Sequence, residues 1–213
     1  MEPDGKIKLK VAMVGDTAVG KTAIAVRFAY NSFQPNIGHT PCAEIFEKDF
    51  IINGKEITIE IVDTAGQEVY KSLTKNYYRN VHAVIIVFAV GSYNKAQKNG
   101  RSSFENVGEW YSDVVEINNT TNIAICGNMT DLQNREVSFE EGQQKASSIS
   151  ESIPYFETSA LTGEGIEALF QYIAKKHLES YNSEQPVTVV NPAQSNEKTD
   201  KKKSGCFILR LFN

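Results

Sequence analysis

The 213-residue sequence predicts an α/β fold: a six-stranded, mostly parallel sheet with one antiparallel strand and helices on both faces. Three observations carry that reading. Short β-rich apolar runs alternate with helical patterns along the chain, the order that builds a parallel sheet. Two of the runs, "AVIIVFAV" (83–90) and "NIAIC" (122–126), are apolar throughout, as strands covered on both faces are. Two others, within "EIFEKDFIINGKEITIEIV" (44–62), are joined by Asn53-Gly54, the strongest short hairpin signal, and supply the antiparallel pair.

The elements follow in order. "KIKLKVAMV" (6–14) alternates and then turns fully apolar, as a strand entering a core does, and a helical pattern follows over residues 20–30. After the hairpin and the two apolar runs, "IPYFETSA" (153–160) is the sixth strand. The last helix is expected over 163–179, with Ile166, Leu169, Phe170, Ile173, Ala174, His177 and Leu178 on one face. His177 is read there as a packing residue, not a ligand. From Ser180 onward the chain is polar, with Pro, Ser and Asn and no sustained period. Residues 180–213 are therefore read as a flexible tail on a domain spanning 1–179.

Composition excludes several function classes. A net charge of -4 argues against a broad electrostatic grip on nucleic acid. Cys42, Cys126 and Cys206 are far apart and match no zinc or disulfide spacing, which points to a reduced, cytoplasmic setting. No apolar run reaches the roughly 18 residues that cross a bilayer, and "MEPDGKIKLK" has no signal-peptide core.

The chemistry begins with "GDTAVGKT": Gly15, Asp16, Thr17, Ala18, Val19, Gly20, Lys21 and Thr22 fit G-x-x-x-x-G-K-[ST], and Ala23 continues into the helix. The glycines let backbone N–H groups wrap a phosphate chain at the N-terminus of the following helix. Lys21 is placed to reach the outer phosphates, and the Thr22 hydroxyl to bind Mg²⁺. "DTAGQE" follows about 40 residues later, straight off the second hairpin strand. Asp63 ends that strand and can hold Mg²⁺; Gly66 lets its N–H approach a terminal phosphate; Gln67 can orient an attacking water.

These residues resemble the motifs of small GTPases of the Ras superfamily, and "NYYRNVHAV" (76–84) resembles a segment typical of its Rab group. The resemblance covers residues 7 to about 179. It implies the P-loop small GTPase fold, GTP and GDP as bound nucleotides with Mg²⁺, slow GTP hydrolysis, and two switch segments that change order with the γ-phosphate. It also implies that Lys21, Thr40 and Gln67 serve hydrolysis. Thr40, 23 residues before Asp63, matches the threonine that binds Mg²⁺ beside Thr22 and Asp63; Phe33 matches the aromatic that packs on guanine. In "GNMTDL" (127–132), Asp131 stands where the family's aspartate accepts from guanine N1–H and N2–H₂, a paired recognition that rejects adenine. Asn128 would tie the base loop to the phosphate loop, and within "ETSA" Ser159 and Ala160 would face the base, the Ala160 N–H meeting guanine O6.

The departures are as informative. Met129 and Leu161 stand where the family has lysines. Met129 keeps polarizable packing but donates no hydrogen bond, so faster nucleotide exchange is expected. Thr17 adds a methyl close to the γ-phosphate, and slower hydrolysis is expected from it. "PCAEIF" after Thr40, and Val62 before Asp63, alter the surface the family uses for effectors. An exchange factor, an activating protein and effectors are expected through residues 33–50 and 63–80, with their identities left open, and the protein is expected to be a monomer. Residues 89–104 are about eight longer than in relatives, an insertion near 92–101 that is either a tolerated surface loop or a partner-contact loop.

The tail carries "KKKSGCFILRLFN". Prenylation of Cys206 is doubtful because "RLFN" follows "CFIL". Palmitoylation of Cys206, or a basic and apolar patch on anionic lipid, are the alternatives for a membrane contact on the cytosolic face. Three functions remain in competition: a switch GTPase of vesicle traffic, a nucleotide-binding scaffold with fast exchange and little hydrolysis, and a P-loop kinase or ATPase, which "DTAGQE" and Asp131 oppose.

Overall fold

The computed structural model describes residues 6–35, 44–63, 79–92, 99–118 and 122–184. Strands β1 (Ile7–Val14), β2 (Glu44–Ile52), β3 (Lys55–Asp63), β4 (Ala83–Ala89), β5 (Ile123–Asn128) and β6 (Tyr155–Thr158) form one sheet in the order β2-β3-β1-β4-β5-β6. β2 runs antiparallel to β3, and every other neighbouring pair is parallel. The hairpin turns on Asn53 (φ 51°) and Gly54 (φ 75°), the pair of positive φ angles that a two-residue turn between right-twisted strands requires.

Alternation along the strands splits the core in two. Leu9, Val11 and Met13 pack on one face, against Ile24 and Phe28 of α1 (Lys21–Tyr30) and Leu169, Phe170 and Ile173 of α5 (Ile166–Glu184). Ala12 and Val14 pack on the other face. They lie with Val107, Trp110 and Val114 of α3 (Val107–Ile117) and Ala146 of α4 (Phe139–Ile149). α4 starts on a capping box in which Ser138 and Glu141 satisfy each other's backbone N–H. A short helix, α2 (Asn99–Glu105), leads into α3.

Two sequence readings need correction. α5 does not stop at 179 but continues to Glu184, so residues 180–184 are helix and not tail. The register persists because Leu178 is buried and Tyr181 lies one turn beyond His177, their rings 6.3 Å apart. The insertion is also not loop throughout. Gly100 and Arg101 belong to α2, and at the other end Gly91 pairs with Arg135 in an isolated β-bridge. Among the described residues, no helix is long and apolar enough to cross a membrane.

The strand order reverses beside β1: from β1 the chain goes out to β2, returns to β3 next to β1, and then crosses to β4 on the other side of β1. In such sheets the crevice at the carboxyl ends beside the reversal is where ligands bind. The 15–20 loop leaves β1 there, and Asp63, Asn128 and Thr158 end β3, β5 and β6 along the same edge.

Candidate functional site

Loop 15–20 closes on itself around a buried cation. Lys21, only 5% exposed, donates to the carbonyls of Gly15 (2.9 Å) and Asp16 (2.8 Å). Burial pulls its ammonium down to about 8, against the opposing fields of Asp63 and Asp16. Two glycines are required by contact as well as by φ. A Cβ at Gly15 (φ +141°) would stand 2.1 Å from the Val87 carbonyl oxygen, and one at Gly20 (φ +91°) would stand 2.3 Å from Asn128 Nδ2. Gly20 also caps α1, so the first amides of that helix face the loop. Ala18 holds φ 63° without that freedom, Val19 is buried, and Thr17 and Ala23 are half-buried.

Asp63 is the second feature. It is 0% exposed, and its Oδ2 accepts from the Thr22 hydroxyl at 2.5 Å. Its Oδ1 has no hydrogen-bond partner among the described residues. Desolvation pushes its carboxyl up to about 6, against the bond from Thr22 and the charge of Lys21. A buried carboxylate oxygen without a donor costs free energy unless a ligand satisfies it. The donors here are a hydroxyl and a carboxylate, the hard oxygen set that suits Mg²⁺. Among the described residues no group of three or more His, Cys, Asp or Glu side chains could hold a metal. Mg²⁺ needs no such cage, since it is commonly held by one or two carboxylates together with substrate phosphates.

The third feature is the wall 127–132 with 158–161. Asn128 donates through Nδ2 to the Val19 carbonyl (2.9 Å) and accepts from the Thr158 hydroxyl (3.1 Å). Met129 sits in the left-handed region at φ 70°, 9% exposed, its Cε 3.5 Å from where a Gly20 Cβ would lie. The contact is apolar. Asp131 accepts from the Ser159 hydroxyl at 2.6 Å, and the same oxygen of Ser159 accepts from the Thr162 N–H. Phe33 packs half-buried at the margin of the main core, and Leu161 is 49% exposed. Thr40, Gly66 and Gln67 lie outside the described residues.

Two sets of contacts join the site without any motif to announce them. Arg27 of α1 donates through Nε to the Ala160 carbonyl (2.8 Å) and through one Nη to that of Leu161 (2.6 Å). Its other Nη donates to the Asn31 carbonyl (3.1 Å). The fork therefore fixes the 160–161 backbone against α1. Asp16 is held from the opposite side: its carboxylate accepts from Asn106 Nδ2 (2.8 Å) and Trp110 Nε1 (2.7 Å). Trp110 is the chain's single tryptophan, which was the one sequence cue available.

Against known proteins, the sequence model of the Ras family matches residues 10–179. The Ras-related protein RABA5c of Arabidopsis thaliana is 34% identical over 210 residues, covering 92% of this chain and 93% of that protein. The Ras-related protein SEC4 of Saccharomyces cerevisiae is 30% identical over 189 residues, covering 88% and 83% respectively. The GTP-binding protein YPT53 of the same yeast is 38% identical over 178 residues, covering 80% and 76%.

Proposed function

The chain belongs to the Ras family of small GTPases as a Rab-like member, and on that premise we propose that it binds GTP and GDP and hydrolyses GTP as a switch in vesicle traffic. The observation that carries the reading is the convergence of Lys21, Thr22 and Asp63 at one sheet edge, with an Asp63 oxygen that has no hydrogen-bond partner among the described residues. The relatives' names, which include a GTP-binding protein, support it.

The residues divide the work. The 15–20 amides and the first amides of α1 face a phosphate chain, and Lys21 supplies a pre-positioned ammonium that needs no reorganisation to meet it. A polyphosphate would provide the counter-charge that burial denies this lysine. Thr22 and Asp63, with Thr40, would hold Mg²⁺, which when bound neutralises charge on the outer phosphate oxygens. Asp131, oriented by Ser159, accepts from the guanine edge. The 160–161 backbone, fixed by Arg27, closes over the base. Gln67 orients water for attack on the γ-phosphorus as the bond to the β–γ bridging oxygen breaks, with the Gly66 N–H at the terminal phosphate. Residues 33–50 and 63–80 would meet an exchange factor, an activating protein and effectors. The tail beyond 184 would make the contact with the cytosolic face of a membrane.

Single-turnover hydrolysis of GTP by the purified chain tests this reading. Slow release of phosphate, lost in Gln67→Leu but with GTP still bound, is the expected result. Tight GTP binding with no phosphate release would favour the scaffold reading. Met129 supports that reading in part, because an apolar side chain gives the base loop no directional bond to the cradle.

A further inference from the structure

A nucleotide is gripped at both ends only while the base loop and the phosphate cradle stay at a fixed separation. Their direct connection is the Asn128 bond to Val19 and the Met129 packing against Gly20. A second connection runs the long way round, through the insertion. The N–H groups of Glu136 and Val137 donate to the Val90 carbonyl (2.8 and 3.1 Å), and Gly91 bridges Arg135. Glu136 Oε1 then accepts from the Ser92 hydroxyl (2.6 Å) and Oε2 from the Arg101 N–H (2.7 Å). The Ser92 oxygen accepts in turn from the Gly100 N–H (3.2 Å).

Glu136 and Ser92 thus satisfy first-turn amides of α2 that no residue of the helix itself can satisfy. The Arg101 guanidinium returns to the Glu136 carbonyl and to Glu141 (2.8 Å). Gly100 packs close on Glu136: an added Cβ would lie 2.8 Å from Glu136 Oε2, so the carboxylate would have to shift. α2 leads directly into Asn106 and Trp110, which grip Asp16, and the Asp16 carbonyl holds Lys21.

We propose that Glu136 and Arg101 are positioning residues for nucleotide retention, tying the base loop to the phosphate cradle through α2 and α3 and so replacing part of the direct bridge that Met129 cannot make. The inference rests on the guanine-nucleotide reading above. Within the clamp, the weight falls on the part-buried Glu136 bonds. The Arg101–Glu141 ion pair, whose side chains are 41% and 42% exposed, is screened by solvent and adds little.

The test is a cycle of variants read by GDP dissociation, using a fluorescent GDP analogue chased with unlabelled GDP. Glu136→Ala removes both acceptors, the one for the Ser92 hydroxyl and the one for the Arg101 N–H. It is expected to speed release about tenfold in the native background and no more than about twofold when Met129→Lys supplies a direct donor to the cradle. Arg101→Ala is expected to act in the same direction with a smaller factor, and it carries the comparison if Glu136→Ala fails to fold. A merely structural role would speed release by the same factor in both backgrounds, which would overturn the proposal, as would no change in either. A native chain with no measurable GDP binding would overturn the guanine-nucleotide reading and the clamp with it.

Discussion

Gly20 and Gly54 form a matched pair for asking how much the cradle depends on one close contact. Both have positive φ, +91° and +75°, so alanine at either position takes on left-handed strain, about 1–2 kcal/mol. Around Gly54 none of the described residues lies within 4 Å of an added Cβ, so strain is the whole expected effect. At Gly20 the Cβ would stand 2.3 Å from Asn128 Nδ2, and Asn128 must move off the buried Val19 carbonyl. Losing that partner adds about 1–3 kcal/mol, for a total of roughly 2–5 kcal/mol by adding that strain to it. For a chain of this size each kcal/mol lowers the melting temperature by about 2–4 °C. Both variants are melted at a fixed excess of GDP and titrated with it. Gly54→Ala is expected to melt a few degrees lower with unchanged GDP affinity. Gly20→Ala is expected to melt lower still and to bind GDP at least about tenfold more weakly. Equal melting and equal affinity in the two variants would refute the reasoning, because strain alone would then account for both.

Three further outcomes follow from the site. Asp63→Asn removes the buried charge of a carboxyl that burial pushes up from 3.8 to about 6, so the nucleotide-free protein should gain up to about 3 kcal/mol at pH 7. That gain should shrink as the pH falls from 6 toward 4, where the native carboxyl is itself protonated. The same variant should lose Mg²⁺-dependent stabilisation by GDP, and urea unfolding with and without GDP and Mg²⁺ reads both effects; a less stable nucleotide-free variant contradicts the burial argument. Arg27→Ala frees the Ala160 and Leu161 carbonyls and should weaken GDP binding at least about tenfold, the low end of what one charge-assisted bond is worth. Isothermal titration decides it, and unchanged affinity would mean that the loop holds its shape without the fork. Cys126 is buried and its thiol is pushed up to about 12, so iodoacetamide at pH 8 should leave it unlabelled in the native protein and label it in urea. Peptide mass spectrometry checks this, and native labelling at Cys126 contradicts it.

Most of the fold was legible because its signals are local. Asn53-Gly54 gives a hairpin by backbone chemistry alone, and the short apolar runs over 83–90 and 122–126 are typical of strands covered on both sides, which they form. The phosphate loop was legible for the same reason, since its chemistry sits in eight consecutive residues. What escaped reading is long-range. Arg27 meets Ala160 across 133 positions and Asn106 meets Asp16 across 90, and no spacing rule joins such pairs. The Ser92–Glu136–Arg101 clamp is equally silent in sequence, because Glu136 reads as an ordinary surface acid until the sheet brings 134–137 beside 90–92. The end of α5 is not legible in sequence, because residues 180–184 are polar while a buried Leu178 and the His177–Tyr181 ring contact carry the helix onward.

The central claim is that one magnesium-held guanine nucleotide spans Lys21, Thr22 and Asp63 at its phosphates and Asp131 at its base. Thermal unfolding of the purified chain with GDP or ADP, each with and without Mg²⁺, tests it most directly. A large rise in melting temperature with GDP and Mg²⁺, reduced by chelation and absent with ADP, is the result the account requires. No shift at millimolar GDP and Mg²⁺, or the same shift with ADP, would contradict it.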